Sequence, residues 1–180
     1  EAYITDVLSE AVMKTVIKYA RKAIDEPENY EARSNLMWSS TVALNHLLTV
    51  GKGGAWSVHP IEHVISAYYD ITHGVGLAVL TPAWMSYVLS DRTAPRFARF
   101  AREVFGVEEA DNRKAAELGI QRVREFNQSL GMPATLSGAG VPEDLFDEMA
   151  SEAVRTSGIA SRAYIKLEAP DVKQILISCR

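Results

Sequence analysis

Three of the four histidines in this 180-residue chain, His59, His63 and His73, lie close together in the sequence. Imidazole is the commonest protein ligand for first-row metal ions, and its pKa near neutrality also lets it transfer protons. A lone histidine more often belongs to a core or a helix end. Three so close together, in a chain with only one other, favour a shared site. The stretch therefore predicts a metal centre with a proton-transfer group beside it.

The same stretch contains a zinc-peptidase pattern, because His59, Glu62 and His63 satisfy H-x-x-E-H. In that class a helix presents both histidines to zinc, and the glutamate activates water. Pro60 is suited to the start of a helix, so we expect His59 at or before the N-cap, where it need not share a helical face with His63. A zinc peptidase stays as one alternative. We otherwise interpret Glu62 as a solvated residue near the start of a helix.

A second interpretation makes His59 and His73 the metal ligands and leaves His63 to transfer protons or face the substrate. His59 and His73 stand at the two ends of a predicted helix-turn unit. Gly74 and Gly76 follow, and without side chains they let another group approach the backbone. We expect a nicotinamide ring or a substrate to approach there, which makes both glycines candidate cofactor-binding residues.

Apolar residues at three- and four-residue steps predict helices along most of the chain. Helices are expected over residues 4–24, 30–49, 60–69, 76–89, 93–105, 110–130, 143–155 and 171–178. The second is so apolar that we place it at the centre of the core, with His46 as a structural residue inside it. Pro82 interrupts or restarts the fourth. Because no run alternates as strands do, the predicted fold class is all-α, a compact multi-helix domain.

Composition excludes several functions. A net charge of -4 gives no general attraction for nucleic acid or anionic membranes. No apolar run reaches the roughly 18 residues of a membrane-spanning helix. The single cysteine, Cys179, excludes an internal disulfide and a cysteine-based metal site, and is typical of a reducing compartment, so a cytoplasmic protein is expected. The chain begins at Glu1 with neither an initiator Met nor a signal-peptide pattern, and we therefore expect it to be a piece of a longer protein.

The histidine stretch as a whole has the pattern H-x-x-x-H-x-x-S-A-x-Y-D-x-x-H-G-x-G-L-A-x-L-x-P-x-W, from His59 to Trp84. It resembles the histidine signature of the iron-containing (group III) alcohol dehydrogenases, and above all the branch with NAD(P)H-dependent butanol dehydrogenases and aldehyde reductases. Residues 27–45, 126–133 and 171–175 also resemble segments of that branch. The resemblance thus covers essentially the whole chain.

This resemblance implies an all-α C-terminal domain of the dehydroquinate-synthase-like type, preceded by a nucleotide-binding α/β domain. It implies His59 and His73 as ligands of Fe²⁺ or Zn²⁺, and His63 as the catalytic residue beside the nicotinamide and substrate. NAD(P)H would be bound mainly by the missing domain, and the substrate would be a small alcohol or aldehyde. The intact enzyme would be a homodimer or a larger assembly.

The chain departs from the family pattern at the remaining ligands. The family supplies an aspartate and a histidine four residues apart on an upstream helix, and no D-x-x-x-H precedes His59 here. The glycine-rich phosphate-binding segment is missing too. We therefore expect residues 1–180 to be the helical metal-binding domain of a longer alcohol dehydrogenase or aldehyde reductase, inactive alone. A non-enzymatic helical interaction domain is the remaining alternative.

Overall fold

The computed structural model describes residues 2–54 and 56–180, and its regular structure is helical. Its α-helices are α1 (Tyr3–Asp25), α2 (Tyr30–Leu44), α3 (Val58–Tyr69), α4 (His73–Tyr87), α5 (Ala94–Phe105), α6 (Asn112–Ser129), α7 (Phe146–Arg155) and α8 (Ala169–Ser178). No β-strand occurs in these two ranges, so the predicted all-α class is confirmed. None of the described helices combines the length and apolar character that crossing a bilayer requires.

Most helices begin and end within a few residues of the predicted positions. Asn29 caps α2, since its side-chain oxygen accepts a hydrogen bond from the backbone N–H of Ala32 at 3.0 Å. α4 passes through Pro82 without a break, where the sequence suggested an interruption or a new start. Local signals were therefore sufficient for helix identity and, in most cases, for approximate length.

The predictions for the second helix were wrong in length and in burial. α2 ends at Leu44, and His46 lies beyond it, exposed and in a left-handed conformation with φ of 68°. Met37 and Trp38 are 71% and 67% exposed. An apolar circumference predicts a central helix only if other elements cover it. In the described structure, much of this helix surface stays uncovered.

The described residues form two compact units. The first unit comprises Glu1–Lys52 and Asp91–Arg122, and the second comprises Gly53–Ser90 and Val123–Arg180. α1, α2 and α5 belong to the first unit, whereas α3, α4, α7 and α8 belong to the second. The second unit therefore contains all three clustered histidines.

Two buried acidic residues of α1 link it to α5 in the first unit. Asp6 accepts hydrogen bonds from both terminal nitrogens of Arg96 at 2.5 and 2.6 Å, and Lys52 Nζ lies 3.0 Å away. Glu10 accepts a hydrogen bond from Nε of Arg99 at 2.7 Å. The hydrogen bonds from Arg96 lower the pKa of Asp6 from its ordinary value of 3.8 to about 2. The ionised Asp6 is therefore stabilised in the folded chain.

Asp6→Asn should lower the free energy of unfolding by at most about 2 kcal/mol near neutral pH, because the lowered pKa is a stabilisation of the charged form. The wild type has this contribution above about pH 4 and loses it as the pH falls towards about 2. The stability difference between the two proteins should shrink over that range in urea unfolding experiments. Asp25→Asn, which removes an exposed partner of Arg21 on the same helix, should have a much smaller effect. A difference independent of pH would contradict this account.

In the second unit, the C-terminal part of α6 supplies the hydrogen bond that α4 lacks at Pro82. Proline has no N–H, so the carbonyl of Ala78, four residues earlier, loses its helical donor. Asn127 Nδ2 donates a hydrogen bond to that carbonyl at 2.9 Å. Arg124 donates a hydrogen bond to Ser86 Oγ at 2.8 Å, one turn beyond Pro82. The bond from Asn127 satisfies the carbonyl that Pro82 leaves without a helical donor, so α4 can continue to Tyr87 as one helix.

Candidate metal centre

Helices α3 and α4 carry the three clustered histidines. His59 and His63 lie one turn apart on α3, and His73 is the first residue of α4. Between the helices, Asp70 ends α3 in a left-handed conformation with φ of 50°, which a short polar side chain tolerates. The connection is short, so the start of α4 lies close to α3.

The expectation that His59 sits at or before the N-cap was wrong. α3 begins at Val58, and His59 is therefore within the helix. Pro60 occupies the third helical position, where an N–H would have no acceptor inside the helix. His59 and His63, four residues apart on one helix, are therefore neighbours on its surface.

The structure brings all three imidazoles into one cluster. The ring centroids are 6.0 Å apart for His59 and His63, 5.3 Å for His59 and His73, and 5.2 Å for His63 and His73. His63 and His73 are exposed, whereas His59 is half-buried with the Trp56 ring 4.3 Å away. Solvent or a ligand can therefore reach the cluster from the side of His63 and His73.

The surroundings of His59 favour its neutral form. Burial lowers the pKa of its imidazole, and the neighbouring rings of His73 and His63 lower it further. Neutral imidazole is the form that binds a metal ion. The electrostatics of His59 therefore suit a ligand.

Glu62 lies in surroundings that the sequence did not predict. Rather than being solvated, it is 0% exposed. Its Oε2 is hydrogen-bonded to Nδ1 of His73, and its Oε1 accepts a hydrogen bond from Ser66 Oγ at 2.5 Å. One signal was available: Glu62 follows Ile61 and precedes Ile65 by three positions, which places it on the apolar face of α3. A charged residue on that face requires a partner.

The two candidate glycines differ in their surroundings. A Cβ on Gly76 would lie 2.6 Å from Cγ of Glu62, so the space beside Gly76 is filled by that side chain. A Cβ on Gly74 would meet nothing within 4 Å. Close approach of a cofactor to Gly74 and Gly76 stays a prediction, and Gly74 is the one with open space beside it.

Ligand atoms for a metal ion are present, although in a broader set than the resemblance implies. One atom each from Glu62, His63 and His73 lie within 4.8 Å of one another. His59 lies beside these three residues, because its ring centroid is 5.3 Å from that of His73. Imidazole nitrogens and carboxylate oxygens suit Fe²⁺ and Zn²⁺, so these side chains fit such an ion. His73 belongs to both possible sets, and the choice of His59 and His73 stays a prediction.

Comparisons with known proteins identify the family. A sequence model of the Fe-containing alcohol dehydrogenase family, C-terminal, matches residues 1–179. NADH-dependent butanol dehydrogenase A of Clostridium acetobutylicum is 46% identical over 175 residues, which are 97% of this chain and 45% of that protein. The NADPH-dependent aldehyde reductase YqhD of Escherichia coli is 32% identical over 141 residues, or 78% of this chain and 36% of YqhD.

Solved structures agree with the sequence comparisons. The crystal structure of NADH-dependent butanol dehydrogenase A from Thermotoga maritima superimposes with a TM-score of 0.88 and 36% identity, over 98% of this chain and 46% of that one. The chain thus spans about half the length of the relatives it matches. The resemblance found in the histidine stretch is confirmed, as is the predicted fold. The chain belongs to the Fe-containing alcohol dehydrogenase family, in which it corresponds to the C-terminal domain.

Proposed function

We propose that this chain forms the metal-binding part of an NAD(P)-linked alcohol dehydrogenase or aldehyde reductase. The observation that carries the proposal is the cluster of three imidazoles, whose centroids lie within 6.0 Å of one another. The relatives are described as a butanol dehydrogenase and an aldehyde reductase, which supports a small alcohol or aldehyde as the substrate. A bound nicotinamide would supply the hydride chemistry for that substrate.

The three histidines have different roles in this proposal. His59 and His73 would hold Fe²⁺ or Zn²⁺, and a metal ion at this position would polarise the oxygen of the substrate. His63, exposed beside both ligands, transfers the proton of the alcohol to solvent. Two imidazoles leave coordination positions open for the substrate and for ligands from outside these residues.

The nicotinamide cofactor is held mainly by residues outside this chain. Gly74, with open space beside it, offers a place where the planar ring can approach the start of α4. With the site divided in this way, the chain alone would have no turnover. A homodimer or larger assembly and a cytoplasmic location remain expectations for the complete protein.

Family membership disfavours both a zinc peptidase and a non-enzymatic helical domain. The site adds a physical reason against the peptidase. Its mechanism needs Glu62 to activate a water molecule, and Glu62 is 0% exposed with its oxygens engaged by His73 and Ser66. A carboxylate enclosed in this way cannot contact the water molecule that a peptidase must activate.

Metal removal tests the proposed function. In the complete protein that contains this chain, chelation should lower the rate of butanal reduction at least about 100-fold, because a metal ion contributes several kcal/mol of charge stabilisation. Addition of Fe²⁺ or Zn²⁺ should restore the rate, followed by NADH or NADPH absorbance. Full activity in protein stripped of metal would contradict the metal's role. Failure to reduce any small aldehyde with either nucleotide would contradict the substrate class.

A further inference from the structure

His73 has two ring nitrogens, and a metal ion can bind either. We propose that Glu62 is a positioning residue of the metal centre, whose buried carboxylate holds Nδ1 of His73 and thereby assigns Nε2 as the metal-binding nitrogen. The inference rests on the proposed function, because it takes His73 to be a ligand. Nothing in the histidine spacing by itself distinguishes the two nitrogens.

Glu62 is held in place at both oxygens. Oε2 contacts Nδ1 of His73, while Ser66 Oγ lies 2.5 Å from Oε1 and 3.1 Å from the carbonyl oxygen of Ile71. Ile71 belongs to the segment that leads into α4. A hydroxyl has one proton, and Ser66 donates it to Oε1, so the carboxylate is held by the ring of His73 at one oxygen and by Ser66 of its own helix at the other.

The contact with Glu62 fixes the position of the proton on His73. An ionised carboxylate can only accept hydrogen bonds, so the shared proton belongs to Nδ1. In a neutral ring the lone pair is then on Nε2, on the other side of the imidazole from Glu62. The His73 side chain is 47% exposed whereas that of Glu62 is 0% exposed, so the ring extends from the interior to the accessible side of the cluster. Carboxylates commonly fix metal-binding histidines in this way.

Gly76 makes room for this arrangement. Its added Cβ would lie 2.6 Å from Cγ and 2.7 Å from Oε1 of Glu62, distances that force a shift. Gly76 follows His73 by three positions, so the two residues are neighbours on α4. Helix α4 therefore supplies both the ring that Glu62 holds and the space in which Glu62 lies.

The same contacts argue against Glu62 as a direct ligand. Its oxygens are engaged by Ser66 and His73, and the side chain has no exposed surface. A metal ion on the carboxylate would have to displace one of these partners within the interior. Glu62 therefore acts through His73, and the close approach of Glu62, His63 and His73 does not require a three-residue ligand set.

Two substitutions at Glu62 distinguish the effect of its hydrogen bond to His73 from the effect of its negative charge. Glu62→Gln should keep the hydrogen bond to His73, because its amide oxygen can accept from Nδ1. Its amide nitrogen can donate to Ser66 Oγ, and the Ser66 hydroxyl is then free to donate to the carbonyl oxygen of Ile71. Glu62→Leu fills a similar volume but cannot accept a hydrogen bond. We expect Zn²⁺ affinity in the complete protein to fall about 10- to 100-fold for Glu62→Leu and only a few-fold for Glu62→Gln. Competition with a chromophoric chelator measures this.

The tautomer of His73 provides a readout that needs no variant. Long-range ¹H–¹⁵N spectra of the metal-free wild type, labelled at histidine, should show the proton of His73 on Nδ1. A proton on Nε2 would overturn the inference even if Glu62→Leu failed to fold. In addition, Gly76→Ala should weaken Zn²⁺ binding in the wild type but have little effect in a Glu62→Ala background, where the clash is removed.

The outcomes distinguish this inference from the proposed function. If Glu62→Leu binds Zn²⁺ as tightly as the wild type while His73→Ala does not, the positioning role is wrong and the ligand assignment stands. If Glu62→Gln and Glu62→Leu lose affinity equally, the charge rather than the hydrogen bond matters, and the inference also fails. If His73→Ala retains wild-type affinity, the ligand assignment itself is wrong.

Discussion

Replacing His73 with alanine in the complete protein should lower its affinity for Fe²⁺ or Zn²⁺ by about 100- to 1,000-fold. A site worth about 10 to 16 kcal/mol that is shared among about four ligands gives each about 2.5 to 4 kcal/mol, and every 1.4 kcal/mol is a tenfold change. His59→Ala should have a similar effect, because its ring lies 5.3 Å from that of His73. Metal content by mass spectrometry and a competition titration measure both losses.

His46 provides the matched control for these variants. It is the one histidine outside the cluster, exposed in a left-handed position beyond α2. His46→Ala should therefore leave metal affinity unchanged. Retention of tight metal binding by either His59→Ala or His73→Ala would contradict the assignment of these two ligands.

His63→Ala should separate metal binding from turnover. Its imidazole lies 6.0 Å from His59 and 5.2 Å from His73, close enough to serve a substrate at the metal and exposed enough to pass a proton to solvent. We expect kcat to fall about 100- to 10,000-fold, the usual contribution of a general acid or base, while metal content stays near that of the wild type. Steady-state kinetics of butanol oxidation together with metal analysis test both parts.

The combination of results identifies each role. If His63→Ala loses the metal and His59→Ala keeps it, the ligand and proton-transfer roles are exchanged, and our assignment is wrong. If His63→Ala keeps both the metal and full turnover, the proton passes by another route. A dependence of turnover on added imidazole in His63→Ala would support proton transfer by the missing ring.

The sequence was a good guide to features that neighbouring residues determine together. Apolar periodicity predicted most of the helices, because that pattern is a local property of the chain. The Asn29 cap of α2 is equally local, since its side chain bonds the backbone N–H of Ala32 three positions later. The histidine pattern from His59 to His73 identified the family, since its order and spacing are written directly in the chain.

Contacts between residues far apart in the sequence were not predicted. Asn127 supplies the hydrogen bond that the carbonyl of Ala78 lacks because of Pro82, and 49 positions separate Asn127 from Ala78. The sequence therefore suggested a broken helix where the structure has one continuous helix. The apolar surface of α2 was assigned to the core because a helical pattern does not show whether another element covers it.

By itself, the sequence determined the helical class, the family and the three histidines of the candidate centre. The tertiary structure decided that these rings come within 6.0 Å of one another, and that Glu62 is buried against His73 in the space that Gly76 leaves open. The physical reason is that helix formation depends on residues a few positions apart. Burial and the partner of a charged group depend on which surfaces meet after the helices have packed.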